Sequence, residues 1–462
     1  MNTLTPHTST PLKGEVPAIL KHAGSVLAGQ LAVMAFGVAD TLIAGRYSDN
    51  ALAALSVGSA LYVSVYVGLI GIVQALLPIW SEMLGAGQTS ALGRSIRQSL
   101  YLCALITVVG MAALLFPGQL LVWADVPPAL QQDVQSYLAV LACALAPSLL
   151  FRIYGTFNQA LGKPLMVTWL QVGALALKIP LSIWFVAGGG GLAPMGAVGC
   201  AWATLVVNYA LVILAVLMLR TRTLYQPFGL WRALERPDWP QIGRFLRLGL
   251  PGGLAYLVEV TSFTLMALFI AKLGTTASAG HQIAASMATV LYMVPLSLAI
   301  ASSARVSFWI GSEHPAQAQH VVFMTLKLLA VVSITLSAII FIARYTLASW
   351  YSTNPEIIEL ASSLLLWVVA YHIADSTQAV SAFLLRCYRI TLAPLAIYGA
   401  LLWGLGLWGG YQLTYHGVGA FQATQQARSF WMASTVAIVL VALALLSLLL
   451  RAVYRSQRAV PA

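Results

Sequence analysis

The chain has 462 residues, of which 60% are hydrophobic and only 8% are charged, whereas about 25% are charged in an ordinary soluble domain. With a mean hydropathy of +0.85, this composition excludes a water-soluble enzyme. The 24 Lys and Arg residues outnumber the 13 Asp and Glu residues, giving a net charge of +11. These charges lie in loops between apolar runs, as membrane topology requires, so we expect no nucleic-acid partner.

A membrane span needs about 20 apolar residues, so a chain of this length can hold about twelve spans with short loops. We place the boundaries by reading the uncharged runs and the turn signals between them. The predicted spans 1 to 12 are residues 18–43, 51–78, 97–122, 134–158, 165–187, 197–219, 242–271, 280–306, 320–347, 358–385, 392–414 and 430–452.

The first residues and the cysteines give no sign of a signal peptide or of cross-linking. The first fifteen residues are polar and lack an apolar signal core, so we expect a cytosolic tail. The four cysteines, Cys103, Cys143, Cys200 and Cys387, fall singly inside apolar runs without CxxC spacing. We therefore predict neither a disulfide nor a zinc site.

The orientation follows from the Lys and Arg residues, which concentrate in alternate loops. One set of loops and tails contains 18 of them, and the opposite set contains only Arg46, Lys272, Arg344 and Arg428. Because cytoplasmic loops carry the excess of positive charge, both termini are predicted to be cytoplasmic. The chain would then be a multi-pass protein of the plasma (inner) membrane in contact with lipid.

A polar stretch at residues 221–241, with three prolines and no sustained helix pattern, divides the chain near its midpoint. We expect an N-terminal lobe over residues 1–225, a cytoplasmic linker over residues 226–241 and a C-terminal lobe over residues 242–462. Each lobe would contain six spans.

The two halves show a weak internal repeat. A shift of 226 positions gives seven identities in the first two spans of each half, including Tyr66 with Tyr292 and Ala75 with Ala301. Halves with an even number of spans enter the membrane in the same direction, as in the parallel repeats of transporters. We expect an all-α membrane protein of twelve helices, in two pseudo-symmetric six-helix lobes around a central cavity.

Few ionisable side chains fall inside the predicted spans, and each has a large cost there. Asp40 lies in span 1, Lys178 in span 5, Glu259 in span 7 and Asp375 in span 10. A short Glu in mid-span cannot reach the interface, so Glu259 must face a cavity, a cation or a proton. Lys178 could pair with Asp40 if spans 1 and 5 are neighbours.

Tyr371 lies one helical turn before Asp375 and on the same helix face. With Glu259 from another helix, these side chains would form an oxygen-rich site. Hard oxygen ligands suit Na⁺, by analogy with other hard cations, and Glu259, Tyr371 and Asp375 are the predicted ligands. Alternatively, burial would turn a carboxylate into a proton carrier. The coupling ion, Na⁺ or H⁺, stays open, and we expect no other cofactor.

Several segments resemble the MATE (multidrug and toxic compound extrusion) transporters of the NorM-type branch. They are residues 251–261, 272–274 and 279–284 in spans 7 and 8, Asp40-Thr41 with Ala44-Gly45 in span 1, residues 199–204 in span 6, and Asp375 with residues 385–388 in span 10. The resemblance extends over essentially the whole chain. It implies a two-lobed antiporter that exports small organic, often cationic, compounds in exchange for Na⁺ or H⁺.

The resemblance also implies roles for single residues. Glu259, Tyr371 and Asp375 resemble the coupling site of the C-terminal lobe, and Asp40 resembles the N-terminal acid implicated in proton coupling. The sequence departs from the family at span 5, where Lys178 and Ser182 stand in place of the asparagines expected near that acid. Because a lysine beside Asp40 would repel a cation, we expect coupling in the C-terminal lobe.

Two other functional classes remain as alternatives. A flippase for lipid-linked saccharides would favour a cavity lined with Lys and Arg, whereas Lys178 and Arg152 are the only basic residues that we do not assign to loops or tails. An intramembrane enzyme would need a catalytic constellation, and the sequence has no HExxH, no GxSxG and no clustered His. We therefore expect a transporter and not an enzyme, able to work as a monomer.

Overall fold

A computed structural model of the chain describes residues 14–118, 128–417, 419 and 422–458. The predicted cytosolic tail, up to residue 13, lies outside the described residues. The helices of the first half are α1 (Glu15–Tyr47), α2 (Asp49–Gln74), α3 (Leu76–Gly85), α4 (Thr89–Leu115), α5 (Pro128–Ala160), α6 (Leu165–Ala187) and α7 (Ala197–Thr221).

The second half repeats this helical plan. Its helices are α8 (Trp239–Ala271), α9 (Thr275–Gly311), α10 (Pro315–Tyr351), α11 (Pro355–Cys387), α12 (Leu392–Tyr398), α13 (Gly409–Tyr415) and α14 (Ala427–Arg458). A π-helical segment, Gly399–Trp408, joins α12 to α13 and makes them one continuous span.

Within the described residues, twelve helical spans are long and apolar enough to cross a membrane. In this count α2 and α3 form one span, Asp49–Gly85. The predicted all-α class and the predicted number of spans are therefore confirmed.

The span boundaries were predicted with uneven success. The fifth span, predicted at residues 165–187, coincides with α6. The third span was predicted too late in the chain, at residues 97–122. Its helix begins at Thr89 and ends at Leu115. Residues 119–122 lie outside the described part. Most other helices extend beyond the apolar stretch that predicted them.

Polar caps explain part of this extension. The side chain of Ser48 accepts a hydrogen bond from the Ala51 N–H at the start of α2, and the side chain of Asn354 accepts one from the Glu356 N–H at the start of α11. Such caps satisfy N–H groups that have no partner within the helix. They allow a helix to continue past the apolar core that hydropathy detects.

Contacts divide the chain into two compact units, and two helices each contribute to both. The described residues of Gly24–Gly253 form the N-terminal unit, and the described residues after Gly253, together with residues 14–23, form the C-terminal unit. The boundaries therefore fall inside α1 and inside α8, where Pro251 interrupts the helical hydrogen bonding.

Each unit has one central helix, and the two central helices occupy equivalent positions in the two halves. In the N-terminal unit α5, the fourth span, packs against α2, α4 and α7. In the C-terminal unit α11, the fourth span of its half, packs against α9, α10 and α14. The central position of α11 places its polar side chains in the interior of the unit.

The start of α1 is fixed to the C-terminal unit by a buried acid. Glu15 is 2% exposed and accepts two hydrogen bonds from the Arg305 guanidinium, one of them from Nε at 2.9 Å. The Trp309 indole N–H donates to the same carboxylate at 3.1 Å. These bonds satisfy a carboxylate that is hidden from water.

The linker after α7 is fixed to the start of α4 within the N-terminal unit. Arg97 on α4 donates two hydrogen bonds to the Glu235 carboxylate, from Nε at 2.9 Å and from Nη2, and a third to the Gly229 carbonyl at 2.6 Å. Gln98 donates to the Arg236 carbonyl at 3.1 Å and accepts from the Asp238 N–H at 2.8 Å.

Close backbone packing accompanies these polar contacts. A 3₁₀ turn, Thr223–Phe228, leads from α7 into the linker. A Cβ atom added to Gly93 of α4 would lie only 1.7 Å from the Phe228 carbonyl oxygen. Glycine at position 93 therefore allows the turn to lie directly on α4.

Candidate functional site

The interior of the C-terminal unit contains two carboxylates that share one amide. Asp375 and Gln378 lie one turn apart on α11, and both are buried. The Gln378 Nε2 group donates to Asp375 Oδ1 at 2.9 Å and to Glu259 Oε1, on α8, at 3.3 Å. The structure thus brings together two acids that are 116 positions apart in the chain.

Tyr398 on α12 completes this network. Its hydroxyl donates a hydrogen bond to Gln378 Oε1, and its side chain is buried. Since the amide oxygen accepts from the phenol, the amide nitrogen points to the two acids. Every polar atom of the Gln378 side chain therefore has a partner, as buried polar groups require.

Tyr371 lies close to this pair and is held by aromatic packing. Its ring packs edge-on against Phe263, with ring centroids 5.8 Å apart, and against Trp431, with centroids 6.0 Å apart. Tyr371 and Glu259 line the same small cavity, together with Ser262, Phe263, Met266, Leu402, Gly406 and Ser434. The three predicted ligands of the C-terminal site thus belong to one region of one unit.

A second small cavity also reaches Glu259. Its walls include three tyrosines and one buried arginine: Tyr256, Tyr292, Tyr398 and Arg386. The Arg386 guanidinium stacks 5.2 Å from the ring centroid of Tyr256 and 4.5 Å from that of Phe383. Glu259 therefore lines both cavities. The first also contains the Tyr371 phenol and two serine hydroxyls, and the second contains the Arg386 guanidinium.

The chemistry of this donor set suits a small hard cation. It is not a metal site built from three or more His, Cys, Asp or Glu side chains, since the described residues contain no such cluster. Two carboxylates with neighbouring phenol, hydroxyl and amide oxygens match the oxygen ligands that hard cations prefer. They equally provide two sites for a proton.

In the N-terminal unit, Asp40 and Lys178 form a buried ion pair. Lys178 Nζ lies 3.0 Å from Asp40 Oδ2, and their side chains are 1% and 11% exposed. Ser182 donates to Asp40 Oδ1 at 3.1 Å, and Lys178 also donates to Thr204 at 2.7 Å. Each charge thus has a direct partner, in contrast to the two acids of the C-terminal unit.

Arg152, the other basic residue that we did not assign to a loop or tail, also has a polar partner. Its guanidinium donates to the side chain of Gln74. Lys178 and Arg152 both bind side chains of the N-terminal unit. Their placement therefore gives no support to the alternative of a flippase, which would use Lys and Arg to bind the lipid-linked saccharide.

The sequence interpretation missed Gln378 and Tyr398. The signal for Gln378 was present, because a glutamine three positions after an acid lies on the same helix face and is costly in a span unless hydrogen-bonded. Tyr398 offers no comparable signal in the sequence, since its contact with Gln378 depends on how α12 packs against α11.

The fold and the buried acids define the class of the protein, a multi-pass α-helical membrane protein. Ionisable residues inside such spans mark ion and substrate pathways. A sequence profile of the MatE family matches residues 26–184 and again residues 251–411. The chain belongs to the MatE family, which confirms the resemblance inferred from the sequence.

Two bacterial relatives match the chain over almost its full length. A probable multidrug resistance protein NorM of Aromatoleum aromaticum is 34% identical over 450 residues, which cover 97% of this chain and 96% of the relative. A probable multidrug resistance protein NorM of Neisseria meningitidis serogroup B is 29% identical and covers 96% of this chain and 97% of the relative.

Solved structures agree on the fold. The crystal structure of the eukaryotic MATE transporter AtDTX14 superposes with a TM-score of 0.85 at 19% identity and covers 97% of this chain and 99% of that chain. A Vibrio cholerae MATE transporter in its bent form gives a TM-score of 0.79 at 16% identity, with coverages of 97% and 99%.

Proposed function

We propose that this protein exports small organic, often cationic, compounds in exchange for Na⁺ or H⁺. The observation that carries the proposal is the pair of buried carboxylates, Glu259 and Asp375, joined by one amide inside the membrane spans. Two acids held together away from water are stable only with a compensating charge or proton. The names of the NorM relatives, which are multidrug resistance proteins, support drugs as the substrate class.

In the proposed cycle, the cation and the substrate favour different conformations of the protein. A cation bound by Glu259, Asp375 and Tyr371 stabilises one conformation, and the substrate stabilises the other. The coupling between two ligands is reciprocal. Cation binding therefore lowers the affinity for the substrate by the same factor by which substrate binding lowers the affinity for the cation. The inward cation gradient then drives substrate release on the outer side.

The same proposal assigns the protein to the bacterial inner membrane with both termini in the cytoplasm. The bacterial relatives support this membrane, and the excess of Lys and Arg in alternate loops supports this orientation. All the residues assigned to the cation site belong to one chain, so we infer that a monomer can work.

The test is transport in vesicles that contain only this protein, with Na⁺ and proton gradients imposed separately and a fluorescent organic cation as the probe. We expect Glu259→Gln and Asp375→Asn to abolish gradient-driven efflux, because each removes a charge that the cation must balance. Glu359→Gln is the matched control, since Glu359 is an exposed acid on α11. Full efflux by both neutral variants would reject the assignment.

A further inference from the structure

The segment that joins α7 to α8, residues 222–238, separates its acidic side chains from its basic ones. Its acids, Glu235 and Asp238, both bind arginines of α4. The arginines of this segment and of the helix ends beside it are exposed, and none of them forms an ion pair within the described residues. They are Arg220, Arg222, Arg232, Arg236, Arg244 and Arg247. The segment carries both signs of charge, yet the charge that it leaves unpaired is basic.

Large apolar side chains are exposed among these arginines. Trp231, Leu234 and Trp239 are 53%, 51% and 68% exposed. The Arg220 guanidinium lies 5.0 Å from the ring centroid of Trp231. The Trp231 indole N–H donates to the Leu219 carbonyl at 3.3 Å, in the last turn of α7. The fold therefore holds an exposed indole directly beside an exposed guanidinium.

The helices on either side keep this segment at a membrane surface. It joins two consecutive spans, α7 and α8, so both of its ends lie at the same face of the membrane. Tryptophan is enriched at that interface, because its ring is apolar at one end and has a polar N–H at the other. Arginine at the same depth meets lipid phosphates, which a guanidinium binds through two parallel hydrogen bonds.

We propose that this basic surface binds the headgroup phosphates of anionic phospholipids. Clusters of about four to eight Lys and Arg residues beside a membrane span are typical of such sites. The occupant is a lipid and not a soluble anion, because Trp231, Leu234 and Trp239 offer apolar contacts that a free phosphate cannot use. The inference goes beyond the proposed function and does not depend on it, since none of these residues belongs to the cation site.

The experiment measures how close the segment lies to the headgroups in two membranes. The native cysteines of the full-length protein are replaced by serine, and Ala233→Cys, at an exposed position, carries an environment-sensitive dye. The protein is placed in vesicles of phosphatidylcholine alone or with about one third phosphatidylglycerol. We expect phosphatidylglycerol to shift the dye emission to the blue and to reduce its quenching by acrylamide, which is uncharged, about twofold.

Two triple variants that lose the same charge make the result specific. The first removes arginines of the basic surface and should abolish the difference between the two membranes: Arg222→Gln, Arg232→Gln and Arg236→Gln. The matched control removes exposed basic residues of the C-terminal unit, which the proposed orientation places on the same side of the membrane, and should keep the difference: Lys327→Gln, Arg451→Gln and Arg455→Gln. All these side chains are exposed, so both variants should fold.

Lipid binding itself is measured by native mass spectrometry of the protein in detergent, titrated with phosphatidylglycerol and phosphatidylcholine of the same acyl chains. Each arginine near an anionic surface strengthens binding about fivefold. The first triple variant should therefore bind phosphatidylglycerol at least about tenfold more weakly than the control does.

Three results would overturn the proposal. The first is equal quenching of the wild-type protein in the two membranes, and the second is an equal loss of phosphatidylglycerol binding in the two triple variants. The third is a blue shift in pure phosphatidylcholine vesicles on addition of inorganic phosphate, which would assign the basic surface to a free anion. None of these results bears on the cation site, so this proposal and the transport proposal fail separately.

Discussion

At the scale of single residues, Lys178 and Asp40 form a buried ion pair that is complete in itself. Lys178 is 1% exposed and binds both Asp40 and Thr204, and Ser182 serves the second carboxylate oxygen. Desolvation of two charges roughly cancels their attraction, so such a pair adds little net stability. Its importance appears only when one partner is removed.

Lys178→Met should therefore destabilise the N-terminal unit by about 3–5 kcal/mol, because it leaves a buried carboxylate without its partner. The double variant Asp40→Asn with Lys178→Met should recover most of this loss, because neither charge is left unpaired. Thermal unfolding of the purified variants measures both effects. Additive losses in the double variant would show that the two charges do not depend on each other.

The same double variant tests the role of Asp40 in transport. If Asp40 is a structural residue, vesicles with Asp40→Asn and Lys178→Met should retain at least half of the wild-type efflux, because the C-terminal acids are intact. Asp40→Asn alone is the comparison, since it leaves Lys178 as the unpaired charge. Loss of efflux in a folded double variant would assign a direct role to Asp40.

Sequence reasoning reached the charged members of both sites because charge inside a span is costly and rare. It could therefore single out Glu259, Asp375, Asp40 and Lys178 without any structure. It could not find how neutral polar groups connect them. Whether Gln378 faces Glu259 depends on the rotation and packing of α8 against α11, which hydropathy does not encode.

At the scale of helices, the contact between α4 and the linker depends on glycine. Gly93→Ala should destabilise the N-terminal unit by about 1–3 kcal/mol, because the new methyl group would overlap the Phe228 carbonyl and force the turn away. Gly173→Ala is the control, since nothing lies within 4 Å of its added Cβ. Unfolding in mild detergent would compare the two, and equal stabilities would contradict the close contact.

The ion pair between Arg97 and Glu235 gives the linker a defined pH dependence. Hydrogen bonds from Arg97 lower the pKa of Glu235 from 4.5 to about 2. Because the pKa is lower in the folded state, the pair stabilises the docked linker above pH 4.5, and this contribution is lost as the pH falls from 4.5 towards 2. The Glu235 side chain is 34% exposed, so solvent weakens the effect.

Hydrogen exchange of the linker amides measures this dependence. After correction for intrinsic rates, protection should be constant from pH 8 to pH 5 and should fall below pH 4.5. Glu235→Gln should remove this acid-dependent fall and lower protection at neutral pH. Asp133→Asn is the control, because Asp133 is an exposed acid of the same unit outside this ion pair, and it should leave the fall unchanged. An unchanged acid-dependent fall in Glu235→Gln would assign it to another group.

The helix boundaries were the least predictable part of the fold. The third span was predicted to begin at residue 97, yet its helix α4 begins at Thr89 and includes Arg94 and Arg97. Acids of the linker are the partners of both arginines. An arginine that pairs with a distant segment is compatible with a helix, and the sequence alone does not reveal that partner.

At the scale of the whole molecule, the fold contains the same plan twice. The two stretches that match the MatE profile begin 225 residues apart and end 227 residues apart, in agreement with the shift of 226 that aligned the halves in the sequence. Both units are organised around the fourth span of their half, α5 and α11. The internal repeat was therefore predictable, because identical residues at a constant shift fall in equivalent spans of the two halves.

The proposed orientation can be tested with single cysteines. The native Cys103, Cys143, Cys200 and Cys387 are free thiols and are first replaced by serine. In intact cells, a membrane-impermeant maleimide should label Thr353→Cys, in the loop between α10 and α11, and should not label Arg232→Cys, in the linker. Both positions are exposed. The reverse pattern would place the termini outside.

The shared helix α1 has a consequence for how the gene could be divided. Glu15 is encoded in the first half of the gene, yet its carboxylate holds Arg305 and Trp309 in the unit that the second half encodes. If the gene were divided into two at the linker, the product of the second part would lack Glu15. A protein expressed as two separate halves would therefore need the first half to supply Glu15 to the unit that the second half forms.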